Sequence, residues 1–170
     1  MTRRDFCIKW LVYALAMLPV VILGVLILPR IPIFGTVPAL LPVAAITVAV
    51  LEGPVGGAGF GLFVGILADA LIPGVPGTMT FALSFLGGCC GAAARYGVSQ
   101  NLPGCLICSG GSLLLINLVR VAFLFLRHAA PLLPLMLTAL GEVFWSLVFL
   151  PLIYGLFLWV FHRVPKATVL

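Results

Sequence analysis

Charge is what this sequence lacks first. Its only acids are Asp5, Glu52, Asp69 and Glu142, and with nine lysines and arginines they make 8% of the 170 residues charged, against about 25% in a soluble globular domain. That shortage excludes a water-soluble fold. Histidine is scarcer still: His128 falls in a loop and His162 at the end of the last apolar segment, neither beside a serine or cysteine in a nucleophile arrangement. Ser109 and Ser112 flank Gly110 and Gly111 in an apolar run, which reads as packing rather than as a nucleophile elbow. No glycine loop is followed by the lysine that a phosphate site needs. Of the five cysteines, Cys89, Cys90, Cys105 and Cys108 lie in apolar runs and Cys7 near the start, so they form no secreted disulfide framework. The CxxC of Cys105 and Cys108 has no second pair or nearby histidine to complete a zinc site. These absences point away from an enzyme, a metal and a cofactor.

What the chain has is hydrophobic residues, 64% of the total, with a mean hydropathy of +1.33. This is the composition of an integral membrane protein, and at roughly 20 residues per crossing it holds about five to seven spans and no separate soluble domain. The net charge of +5 then concerns membrane edges rather than nucleic acid. The pattern predicts an all-α, polytopic protein with six transmembrane helices in one domain, 1–170, over 10–28, 38–51, 58–71, 78–95, 105–126 and 131–161. The basic start precedes a long apolar segment without a small-x-small cleavage site, so the first span reads as retained. Trp10 and Tyr13 take the place of interfacial aromatics. The second span is short and needs tilt or local thinning, and Pro151 is the expected kink in the long sixth. With both termini in the cytoplasm, Arg3, Arg4, Lys9, Arg95, Arg163 and Lys166 lie inside and only Arg30 and Arg127 outside, as the positive-inside rule asks.

One stretch organises the rest. In GPVGGAGFGLFVGILADALIPGVP, Gly57, Gly61, Gly65 and Asp69 recur every fourth residue and share one helix face. Small residues let membrane helices approach closely, so this face is expected to pack on a neighbour. The next span offers a similar face, with Ser84, Gly88, Gly91 and Arg95 in line and Gly87 and Ala92 beside it. Gly57, Gly61, Gly65, Gly87, Gly88 and Gly91 are therefore the expected helix-packing or partner interface.

Three ionisable residues, Asp69, Arg120 and Glu142, fall inside spans, where each is costly against lipid. Arg120 is expected to pair with Asp69, Glu142 or both; the alternative is that it snorkels past Leu124 to the headgroups. Asn117 shares the face of Arg120, and Thr138, Glu142 and Ser146 draw a polar line on the sixth helix, so these six residues form an expected intramembrane network. At the opposite end, Arg95 has Glu52, or water and lipid phosphate, for a neighbour.

The order of a basic start, a first span, PALLPVAAITVAVLEGPVGG, GFGLFVGILADALIPGVPGTMTFALSFLGG and LTALGEVFWSLVFLPLIYGLFLWVFHRV resembles the MreD family of rod shape-determining membrane proteins. The most specific element is the GxxxGxxxD run of Gly61, Gly65 and Asp69, followed by a turn with Pro73 and Gly77. The resemblance implies a subunit of the bacterial cell-elongation machinery in the cytoplasmic membrane. It implies binding to an MreC-type bitopic scaffold beside RodA, a class B penicillin-binding transpeptidase and MreB, in support of peptidoglycan synthesis and cell shape. It further implies a bundle like that of the S components of energy-coupling-factor transporters. An S component itself, holding a vitamin, is the alternative. Ala45 and Ala49 supply an AxxxA, but on the second span rather than the first, and the outer loops offer chiefly Arg30, Phe34, Arg127 and His128. A solute carrier using the intramembrane acids for protons is a third reading.

Overall fold

Apolar runs broken by proline and glycine become helices here because a backbone at membrane depth must satisfy its own hydrogen bonds. The computed structural model describes residues 3–30, 36–71, 77–97, 101–126 and 132–163. Among these residues six α-helices form: α1 (Arg3–Val21), α2 (Leu40–Glu52), α3 (Pro54–Leu71), α4 (Thr78–Tyr96), α5 (Leu102–Leu126) and α6 (Leu132–Arg163). Beyond Pro19 the first helix widens to π geometry over Ile22–Ile27 and closes in a 3-10 turn at Leu28–Arg30. Residues 72–76 of the expected IPGVPG turn, and Phe34, Arg127, His128 and Lys166, lie outside the described residues.

Among the described residues four segments are long and apolar enough to cross a membrane: Ile8–Arg30, Pro54–Leu71, Leu102–Leu126 and Leu133–Arg163. The helix α4 is not among them, and α2 has only 13 residues. At 1.5 Å per residue α2 is about 20 Å long, against a hydrocarbon core of about 30 Å.

The structure resolves the difficulty of the short second helix by burying it. Every residue from Leu40 to Leu51 is buried, with α1, α3, α4, α5 and α6 packed around it. Its approach is also inside protein: the Ala39 N–H donates to Ser146 Oγ at 2.8 Å, and a Cβ placed on Gly141 would come 2.9 Å from Thr36 Cγ2. Non-helical backbone at membrane depth is tolerated in such surroundings.

The connection to α3 is shorter than the expected turn over Glu52–Gly57. It is the single residue Gly53, at φ 88°, whose N–H closes on Ala49 O at 2.9 Å. Pro54 then begins α3, four residues ahead of the expected start at Ala58. Proline at the first helical position loses no hydrogen bond and its fixed φ suits the helix, while Gly53, at φ 88° and ψ −171°, takes a backbone conformation essentially confined to glycine and ends the helix before it. An aromatic cluster joins α1, α3 and α6 beside this hairpin: Tyr13 lies 6.1 Å from Phe60 and 6.2 Å from Phe157 between ring centroids.

Candidate functional site

The α3–α4 pair is the most extensive helix contact in the molecule, and its geometry follows from missing side chains. A Cβ on Gly57 would stand 2.5 Å from Gly87 O and 2.6 Å from Ala49 Cβ; one on Gly61, 2.8 Å from the Leu83 carbonyl carbon; one on Gly65, 2.9 Å from Met79 O. On the opposing helix, a Cβ on Gly87 would stand 2.9 Å from the Gly57 carbonyl carbon, and one on Gly91 2.5 Å from Gly53 O. Real Cβ atoms do not come so near backbone, so five glycines hold a seam where two backbones touch. Such close approach is what gives helices packing energy in a medium without a hydrophobic drive between them.

The face of α4 that makes this seam is Leu83, Gly87 and Gly91. It is shifted from the expected line of Ser84, Gly88, Gly91 and Arg95. Gly88 lies at its flank, where an added Cβ would meet Ala58 Cβ at an ordinary 3.6 Å, and Ser84 donates to Ala58 O at 3.3 Å from the same flank. Gly87 takes the inward position, its carbonyl against Gly57, where an added Cβ would also stand 2.6 Å from Ala49 Cβ on α2.

Asp69 completes the seam, and it does so without Arg120. Its carboxylate accepts from the N–H of Met79 at 3.2 Å and of Thr80 at 3.0 Å, and from Thr80 Oγ1 at 2.6 Å. The first turn of a helix has N–H groups without intrahelical partners, and Gly77, which precedes α4, has no side chain to cap them. A carboxylate from the last turn of α3 takes that role. Of the expected partners of Arg120, Asp69 is therefore ruled out, its acceptor atoms being committed to α4.

Arg120 pairs with Glu142, Nη1 to Oε2 at 3.1 Å, which ties α5 to α6. The guanidinium side chain remains 57% exposed, whereas that of Glu142 is 20% exposed. The remaining members of the expected network separate. Asn117 is buried on α5, and among the described residues no hydrogen bond joins it to either charge. Thr138 donates to its own helix, to Pro134 O and Leu135 O. Ser146 donates to Glu142 O at 2.6 Å and receives the Ala39 N–H. The polar line on α6 thus does three separate tasks, because residues four apart on α6 meet a solvent or lipid face, α5 and the start of α2 in turn.

A second charged site went unread in the sequence. Lys9 on α1 pairs with Glu52 at the end of α2, and Tyr13 Oη donates to the other carboxylate oxygen at 2.7 Å. Both charged side chains are nearly enclosed, at 11% and 8% exposure. Glu52 is thus bound by Lys9 rather than by Arg95, which is exposed. The available signal was the spacing of Lys9, Tyr13 and Met17, which lie on one face of α1 and are all buried.

The cysteines also do more than fill space. Cys90 on α4 lies 3.1 Å from Ser112 Oγ on α5, and Cys105 donates to Thr47 Oγ1 on α2 at 3.5 Å. They remain free thiols. Among the described residues no group of three histidine, cysteine or acidic side chains is placed to hold a metal. Chemically, the arrangement supports rigid helix association and membrane-embedded ion pairing. Compared with protein-family models, curated proteins and solved structures, the chain has no match in any of the three.

Proposed function

We propose that this chain is a non-enzymatic, MreD-like membrane subunit of the bacterial cell-elongation machinery. In this reading it spans the cytoplasmic membrane six times, with both termini inside, and binds an MreC-type bitopic scaffold. It works beside RodA, a class B transpeptidase and MreB. The observation that carries the reading is the GxxxGxxxD run on which the family resemblance rests. Its two glycines and its acid act as one device, which seals α3 against α4 and caps α4. A motif with that structural task supports a shared bundle rather than a shared chemistry, and a bundle with a rigid half and few polar groups suits a protein whose product is an interface.

The test is co-expression of the full chain with an MreC-type protein from the same bacterium, followed by purification and native mass spectrometry. A stable stoichiometric complex is expected, together with loss of rod shape when the chain is depleted. Recovery of a stoichiometric vitamin and no scaffold protein would replace this reading with that of a transporter S component.

A further inference from the structure

An arginine that faces outward from a membrane helix needs acceptors. A guanidinium carries five N–H donors, and in this chain Arg120 gives one nitrogen to Glu142 while more than half of its side chain stays exposed. Its surroundings are apolar: Leu118, Val119 and Phe123 on α5 are outward-facing. Depth decides which acceptor fits. Arg120 stands six residues before the end of α5, and Glu142 ten residues after the start of α6. At 1.5 Å per residue these are about 9 Å and 15 Å from the same end of the bundle. The guanidinium is held by a carboxylate placed deeper from that end than itself, so its free donors open on an apolar face of α5 rather than being committed within the bundle.

We infer that the α5–α6 face around Arg120 is the docking site for a transmembrane helix of a partner protein that carries an aspartate or glutamate at the depth of Arg120. The inference rests on the proposed partner-binding function and names the surface that performs it. The carboxylate completes a three-membered cluster with Arg120 and Glu142, in which the bidentate geometry of the guanidinium leaves room for one acceptor on each edge. Thr138, exposed one turn from Glu142, lies on the α6 side of the site, and Phe123 on the α5 side. The glycine seam cannot serve the same purpose, since Gly57, Gly61, Gly65, Gly87 and Gly91 are already covered from within.

The experiment places a photoreactive phenylalanine analogue at Phe123, Thr138, Ile66 or Leu11 of the full chain, co-expressed with an MreC-type bitopic protein whose span contains an acid. Adducts are expected at Phe123 and Thr138, stronger by about tenfold than at the outward-facing controls Ile66 and Leu11, the order of effect expected of one desolvated charge pair. They should fall to control level in Arg120→Leu/Glu142→Leu, a double variant that removes both charges and so leaves neither unpaired. Arg120→Glu should abolish them, and an arginine in place of the partner's acid should restore them. Adducts confined to Ile66 or Leu11 overturn the docking site and leave the proposed function standing. Absence of adducts at all four positions together with failure to co-purify overturns both. Phospholipid retained by the wild type, lost from the double variant, with the protein adducts unchanged, assigns Arg120 to a lipid phosphate and overturns the inference.

Discussion

The helix pairs α3–α4 and α5–α6 both contain glycine, and they use it differently. In α3–α4 the glycines are where backbone meets backbone, and five of them leave no room for a methyl group. In α5–α6 a Cβ on Gly110 would meet Leu147 at an easy 3.8 Å, and one on Gly111 would meet nothing within 4 Å. That pair is held instead by the Arg120–Glu142 bridge and by side-chain contact. The comparison separates two kinds of membrane helix pair, one sealed by shape and one joined by exchangeable polar contacts. In the second, the Arg120 guanidinium is paired once and more than half exposed, so it has donors left to offer a partner.

The largest break in this comparison is Gly61→Leu. Four extra heavy atoms directed at the Leu83 backbone cost more than about 3 kcal/mol, beyond ordinary overpacking, and the variant should fail to give a monodisperse protein in detergent. A Gly61→Leu protein with wild-type yield and melting would show that α3 and α4 are not sealed as described. Next, Glu52→Gln leaves Lys9 enclosed without its counter-charge and should lower stability by about 3–5 kcal/mol, with most of the loss recovered in Lys9→Met/Glu52→Met. A thermal shift of the single variant no greater than that of the double would contradict an enclosed pair.

Asp69→Ala removes the cap of α4 and is expected to cost about 0.5–2 kcal/mol. Hydrogen exchange should localise the change to the first turn of α4, at Met79 and Thr80, and an equal rise across α5 would count against the capping role. The smallest effect belongs to Gly111→Ala. Alanine is favoured over glycine within a helix by about 1 kcal/mol, and the space is open, so the melting temperature should hold or rise slightly. A clear fall would place an unseen neighbour on that face and erase the contrast with Gly61.

These contrasts also show what a sequence of this kind makes legible. The helices and the thin face of α3 are visible because a four-residue glycine spacing leaves few alternatives once lipid sets the solvent. The partner face on α4 is harder, since Gly87 and Gly88 are adjacent and composition favours neither; the choice depends on the crossing of the two axes. Lys9 and Glu52 were hidden for another reason. Each sits at the end of an apolar segment, where a charge ordinarily meets water, and only the one-residue link at Gly53 draws the end of α2 inward to α1. Asp69 misled in the opposite way: an acid inside a span invites an ionic partner, while uncapped N–H groups ten residues ahead satisfy it better.

The enclosure of α2 has a consequence for how the protein is made. Being too short to stand across a bilayer alone and joined to α3 through Gly53, it has to enter the membrane as one arm of a hairpin. Besides α1 and α3, its walls come from α4, α5 and α6, which leave the ribosome later. The second helix to be synthesised therefore cannot be fully enclosed until the last one has been made.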